Sequence, residues 1–454
     1  MKLRAVLTSV VALAACGDDD NDLGGLDAAP VASARDFTLR IENVAPWTMI
    51  RAGSVTTMTN QQSGFAGPGR TFEVRFNARD HLFLSFATML GESNDWFFAP
   101  DPQGIPLFTN GRPTAGDITR FVKLWNAGTE IDQEPAVGDA TRPRQPSSDF
   151  GAPDPDDTVR ELPVTVPLAD GSTFVRPAVD RMIRVTLTPG PDQQFTLRIQ
   201  NISNAMTLQT SQGAMAIHIS PITFAVSEHP APLFSAGSAA SPGLAALAEH
   251  GAVDPFENQL RPSVGFATPL SPGVFVVHDQ LAPLYLPGSP DYGLGLEALA
   301  EDGNPLPLRD ALAATPPTGA SSTGVFETPV GASAPGPAQP GQAFEVSIRG
   351  APGEAVSFAS MFGMSNDWFF GTRVDGIRLF DGDTPRTGDV TSEVMLFDAG
   401  TERDEDLAIG PQTAPQQPAP DTGADDGIVV VRQVTADRYS KPVAEHVRVT
   451  LTPQ

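Results

Sequence analysis

"DFTLRIENV" (residues 36–44) sets Phe37, Leu39 and Ile41 against Thr38, Arg40 and Glu42. A period of two is the pattern of a strand with one face in a core. "QFTLRIQNI" (194–202) repeats it almost letter for letter. A second repeated phrase answers it, "IRVTLTP" at 183–189 and "VRVTLTP" at 447–453. A unit that opens on the first phrase and closes on the second should hold its own first and last strands in one sheet. Two units follow from this, 36–189 and 194–454, joined by the turn-forming "PGPDQ" at 189–193.

Other matches lie between these ends. "SNDWFF" occurs at 93–98 and 365–370, so that Asp95 and Asp367 stand 272 positions apart. At the same offset "WNAGTE" (125–130) answers "FDAGTE" (397–402), and "GIPLF" (104–108) answers "GIRLF" (376–380). A gapless series of matched motifs is an internal duplication. "TFEVRF" (71–76) and "AFEVSI" (343–348) alternate as strands, while "LFLSFATML" (82–90) and "AVSFASMF" (355–362) are apolar throughout, as central strands are. Forty-two glycines and 44 prolines, with few helical patterns, complete the picture of a turn-rich chain. The expected class is all-β, two tandem antiparallel β-sandwiches.

The second unit is longer by an insertion at about 218–315, itself doubled. "SPITFAVSEHPAPLFSAG" (220–237) resembles "SPGVFVVHDQLAPLYLPG" (271–288). Each is followed by a short helical phrase closed by glycine, "GLAALAEHG" (243–251) and "GLEALAEDG" (295–303). Both helices are expected on one face of the second sandwich. The stretch 313–341, rich in Pro, Gly and Ser, is expected to be a loop.

The 454 residues carry a formal net charge of −25, from 54 acidic and 29 basic side chains. No Lys/Arg concentration suited to phosphate is present, which argues against nucleic acid as a partner. The chain has one cysteine, Cys16, and so no internal disulfide. A basic start (Lys2, Arg4), an apolar stretch from Ala5 to Ala15 and "LAAC" at 13–16 resemble the signal and lipobox of bacterial lipoproteins. That resemblance implies a signal peptide at 1–16, a lipidated Cys16 and export to the cell envelope, with the outer membrane or cell surface favoured. Acidic, small residues at 17–35 read as a disordered tether.

Chemistry is sparse. Gly-x-Ser-x-Gly, His-Glu-x-x-His and phosphate-loop motifs are missing, so no enzyme is expected. "DTG" (421–423) is the aspartic-protease triplet, without the apolar strands that would bury such a carboxylate. Trp96, Trp125 and Trp368 suggest sugar stacking, but tryptophans beside buried strands are more often core. The repeated motifs place oxygen side chains beside tight bends: Asp367, Asp398 and Glu402 in one copy, Asp95, Asn126 and Glu130 in the other. Hard oxygen donors of this kind suit calcium, whereas zinc sites use His or Cys.

"SNDWFF" followed by "DAGTE" resembles the spondin domain, the F-spondin N-terminal domain, whose members carry Ser-Pro-Asp-Trp and Asp-Ala-Gly-Thr-Asp. The second unit resembles its longer bacterial form throughout, and the first from about Phe65 onward. The resemblance implies a sandwich similar to calcium/phospholipid-binding modules, with one calcium ion held by the Asp before Trp and the ends of the Ala-Gly-Thr turn. Carried over, the ligands are Asp367, Asp398 and Glu402, then Asp95, Asn126 and Glu130. Asn126 in place of an aspartate implies a weaker first site. The functional expectation is a non-enzymatic envelope lipoprotein, a calcium-binding adhesion or ligand-binding module facing a glycan, matrix or protein surface. Its rivals are a structural envelope component without functional metal and, further off, a hydrolase.

Overall fold

The computed structural model describes residues 33–454 except 143, 148, 149, 267 and 415. The expected signal peptide, Cys16 and most of the expected tether lie outside the described residues. Strands of five or more residues are, in chain order, β1 (Arg35–Asn43), β2 (Met49–Val55), β3 (Thr71–Asn77), β4 (Phe83–Met89), β5 (Trp96–Pro100), β6 (Val122–Asn126), β7 (Ile183–Pro189), β8 (Gln194–Asn201) and β9 (Ile222–Ser227). Then come β10 (Leu270–His278), β11 (Ala320–Phe326), β12 (Ala343–Gly350), β13 (Ala355–Phe362), β14 (Trp368–Thr372), β15 (Val394–Asp398) and β16 (Val447–Pro453). Among the described residues four helices of seven or more residues join them: α1 (Pro242–His250), α2 (Asp254–Leu260), α3 (Leu296–Asp302) and α4 (Leu306–Ala314).

The fold is all-β with antiparallel sheets, and each half pairs a small sheet with a large one. One half orders its sheets β3-β8-β7 and β6-β5-β4-β9-β2; the other orders them β12-β1-β16 and β11-β10-β13-β14-β15. Short strands close the edges, Gly116–Asp117 and Arg160–Glu161 in the first, Gly388–Asp389 and Arg432–Gln433 in the second. Strand for strand, the two halves match. The apolar runs of β4 and β13 are central and almost wholly buried, as their composition implies.

Sheet membership crosses the expected boundary at 189/194. β8, the second "FTLRI", pairs with β7 and β3 and belongs to the first sandwich, with Leu197 opposite Leu187 and Val74. β1, the first "FTLRI", pairs with β16 and β12 in the second, with Leu39 opposite Leu451 and Val346. The two opening strands have traded places. A local cause is visible in the "PGPDQ" segment, which closes a hairpin rather than linking domains. Gly190 donates its N–H to Gln194 O at 2.7 Å and Gln194 its N–H to Pro191 O at 3.0 Å. Asp192 and Gln193 take the left-handed φ values, 52° and 55°, that reverse the chain. Closing so short a loop costs far less entropy than bringing in the distant β1, so β7 takes its sequence neighbour and leaves the second sheet to β1.

The insertion is corrected in the same way. α1 and α2 pack on the first sandwich, where Leu244, Leu247, Phe256 and Leu260 meet Phe97, Trp125 and Ala225. α3 and α4 pack on the second, where Leu296, Leu299, Leu308 and Leu312 meet Val274, Val276 and Phe369. Each sandwich therefore has one helical pair. The front segment missing from the first unit is supplied by residues after 194. The first sandwich is continuous in the chain, and the second is split by it. A further correction concerns 313–341, where β11 forms the edge strand beside β10. Gly324 admits this pairing because any Cβ there would lie 2.5 Å from the Phe275 ring.

Between the inter-sheet cores, the connecting segments run side by side. Thr48 N–H bonds Ser263 O at 3.1 Å, and Trp47 packs against His446 with ring centroids 4.4 Å apart. Arg79, 6 % exposed, donates Nε–H to Ala408 O at 2.6 Å across the two sandwiches and pairs with Glu228.

Candidate metal centre

Each "SNDW" turn is built by its serine. Ser93 Oγ donates to Leu90 O at 2.7 Å and accepts Trp96 N–H at 3.0 Å; Ser365 does the same with Phe362 O and Trp368 N–H, at 2.7 and 2.9 Å. The turn aims its aspartate at the Ala-Gly-Thr bend. Asp95 Oδ2 accepts the backbone N–H groups of Thr129 and Glu130 at 3.0 and 3.3 Å. Asp367 Oδ2 accepts those of Thr401 and Glu402 at 3.0 and 3.1 Å. The two repeated motifs thus meet in space, in both copies.

The other oxygen of each aspartate is the anomaly. Asp95 Oδ1 and Asp367 Oδ1 are buried and have no hydrogen-bond partner among the described residues, in side chains that are 0 % exposed. Burial, then the charge of Asp132, pushes Asp95 up to about 8. Burial, then the charge of Asp398, pushes Asp367 up to about 7. A buried carboxylate oxygen facing other acids is costly unless it gives up its charge or gains a cation.

The remaining expected ligands divide. Asp398 Oδ1 accepts Gly400 N–H at 2.7 Å, and its Oδ2 takes Arg438 at 2.5 Å and Arg432 at 2.7 Å. Asn126 accepts Gly128 N–H through Oδ1 and donates Nδ2–H to Asp132 Oδ1 at 2.9 Å. Glu402 and Glu130 each give one carboxylate oxygen to a backbone N–H from a later loop. Glu402 Oε1 accepts Gly423 N–H at 2.6 Å, and Glu130 Oε1 accepts Gly151 N–H at 2.7 Å. A Cβ on Gly423 would fall 2.1 Å from Glu402 Cδ, and one on Gly151 would fall 2.5 Å from Glu130 Cδ, so both glycines are required for these carboxylates to seat. This is the work of the "DTG" loop, in which Asp421 itself is exposed.

Sequence reasoning missed Asp404 and Asp132. They accept the indole N–H of Trp368 (2.9 Å) and Trp96 (2.5 Å). Their signal was a shared position six residues past Asp398 and Asn126. Asp367, Asp398 and Asp404 each bring one oxygen within 4.8 Å of the others. A second acidic group, Glu297, Glu301 and Asp421, meets the same limit. Trp96, Trp125 and Trp368 are at most 4 % exposed, which leaves no indole face for a sugar. His278 is likewise packed, with Nε2 against Ser357 Oγ at 2.8 Å.

Neither group contains His or Cys. With oxygen donors alone and net negative charge, both suit a hard divalent cation such as calcium better than zinc. Among the described residues no helix is long and apolar enough to cross a membrane. No family model matches the chain, and no curated protein matches it in sequence.

Proposed function

We propose that the chain is a non-enzymatic, lipid-anchored envelope module whose two spondin-like sandwiches each hold a calcium ion and present a surface for adhesion or ligand binding. The observation that carries this reading is the partnerless, fully buried Oδ1 of Asp367, repeated at Asp95. A dication beside that atom would relieve the desolvation it suffers. Asp398 and Asp404 lie within coordinating reach of Asp367 in the second copy. Asn126 and Asp132 occupy the matching positions in the first. Export and anchoring through Cys16 rest on the "LAAC" resemblance and the acidic tether alone.

A metal-free structural envelope component is the second reading. The ion pairs of Arg432 and Arg438 with Asp398 favour it, because they neutralise part of the cluster without an ion. Calorimetric titration of the mature chain with calcium separates the two. The calcium reading expects heat and a raised melting temperature, the contribution of the Asp367 site being lost in Asp367→Asn and that of the Asp95 site in Asp95→Asn. Identical melting in calcium and in chelator establishes the metal-free component. Antibody labelling of intact against permeabilised cells then tests surface display.

A further inference from the structure

The second acidic group lies where the insertion helix meets the "DTG" loop. Glu297 and Glu301 share one face of α3, four residues apart, a spacing at which like charges repel. Asp421 approaches from the loop, and oxygens of all three lie within 4.8 Å of one another. Such a cluster on its own is ordinary surface acidity. What sets it apart is Glu402, 3 % exposed, whose Oε2 is buried without a partner while Oε1 is held by Gly423, two residues from Asp421. Glu301 is itself 1 % exposed, and its carboxyl is pushed up to about 8, first by burial and further by Glu402, Glu297 and Asp367, against a hydrogen bond with Thr401 that acts the other way. The charges acting on Glu297 are Asp421, Asp291, Asp425 and Asp302, all acidic. None of Glu297, Glu301, Glu402 and Asp421 takes part in an ion pair among the described residues.

The first sandwich places a different neighbour at the same helix position. There α1 carries Glu249 at the place of Glu301, with His250 Nε2 3.4 Å from its carboxylate. In α3 the histidine is replaced by Asp302, and Ala245 by Glu297. A neighbouring histidine has been exchanged for an acid, and a second acid has been added one turn earlier.

We infer that the second sandwich holds an additional divalent cation, most suited to calcium, between Glu297 and Glu301 of α3 and Asp421 of the loop, with the buried Glu402 carboxylate as the neighbouring negative charge. This site is separate from the one at Asp367 and has no equivalent in the first sandwich. It shares with the proposed function only the class of ion. One consequence is that the ion would tie the insertion helix to the loop that seats Glu402.

Equilibrium dialysis of the full mature chain against calcium, with bound ions counted per chain, tests it. Glu301→Gln and Asp421→Asn are each expected to lower the count by one while keeping the ion that Asp367→Asn removes. Glu301→Gln keeps the shape of a carboxyl that burial holds mostly neutral when no ion is bound, so its melting temperature in chelator should not fall. Should that variant nevertheless fold poorly, Glu297→Gln at the exposed rim replaces it, with at least a tenfold weaker affinity for one ion expected. An unchanged count and affinity in Glu301→Gln and Asp421→Asn overturns the inference, whatever Asp367→Asn does. Loss in those two with no loss in Asp367→Asn keeps the inference and defeats the Asp367 site instead.

Discussion

The two corners differ by one paired exchange. In the second copy Asp398 is buried and receives Arg438, which also reaches Asp404. In the first copy Asn126 stands in its place, and the cation acting on Asp132 is Arg160, the counterpart of Arg432. One carboxylate more and one guanidinium more leave the net charge around the two aspartates the same. Asn126 alone suggests a weaker first site. With Arg438 counted, charge offers no ground for a difference, and we infer calcium affinities of similar size. A site is characterised by its balance of charges, and single substitutions read in isolation mislead.

The sharpest way to break the comparison is through the exchanged strands. Removing residues 35–43 deletes a central strand of the second sandwich, with Phe37, Leu39 and Ile41 each at most 1 % exposed. Each such side chain is worth about 1.5–3 kcal/mol, so the second sandwich should lose its cooperative melting transition while the first keeps its own. Calorimetry of the deletion reads both. By the same logic a fragment of 194–454 lacks β1 and should not fold, whereas one of 47–265 should.

Arg438→Ala comes next. It strips a guanidinium from the buried Asp398, an imbalance that costs about 3 kcal/mol. Adding Asp398→Asn should recover most of the loss, since the double variant resembles the first corner. Denaturant unfolding of the four proteins gives the coupling energy, expected at about 2 kcal/mol. Additive effects would mean the two residues were not exchanged as a pair. Calcium at a hundred times the dissociation constant of each aspartate site should stabilise its sandwich by about 2.7 kcal/mol through that site, and equal shifts of the two transitions in the Glu301→Gln background would support equal sites.

Acid should separate the halves by a smaller amount. His446 precedes β16 and is 1 % exposed, where the first sandwich has Met182 before β7. Burial, then Lys441, pushes His446 down to about 3 from its ordinary 6.5. The unfolded chain therefore takes up this proton first as pH falls. The stability of the neutral ring is present above about pH 6.5 and is lost progressively toward pH 3, at about 1.4 kcal/mol per unit. At pH 5 the second sandwich should have lost about 2 kcal/mol from this group. His446→Met should flatten the dependence, as followed by the second melting transition at pH 5 and pH 7.

Much of the site could be read in the sequence because its determinants are local. Ser93 and Ser365 close their turns within three residues, and the Ala-Gly-Thr bend offers its N–H groups wherever it is placed. Asp95 and Asp367 were therefore legible. Glu402 was legible as an acid and not in its direction, which depends on Gly423 arriving from 21 residues away. Glu301 was hidden for a similar reason. The repeated "LAExG" phrase marks its place on a helix, but only docking of that helix brings it to the corner.

The amino-acid sequence by itself determined the all-β class, the duplication, the central strands and the turn that positions each aspartate. These depend on alternation, on turn chemistry and on contacts a few residues apart. The apolar pattern left open which "FTLRI" strand joined which sheet, because both copies present the same face, and only the structure showed the 189–193 segment closing a hairpin that keeps β8 with β7. Tertiary structure also decided the ionic balance of the two corners. Arg438 lies 40 residues from Asp398, and a charge acts through distance in space, which chain spacing does not reveal.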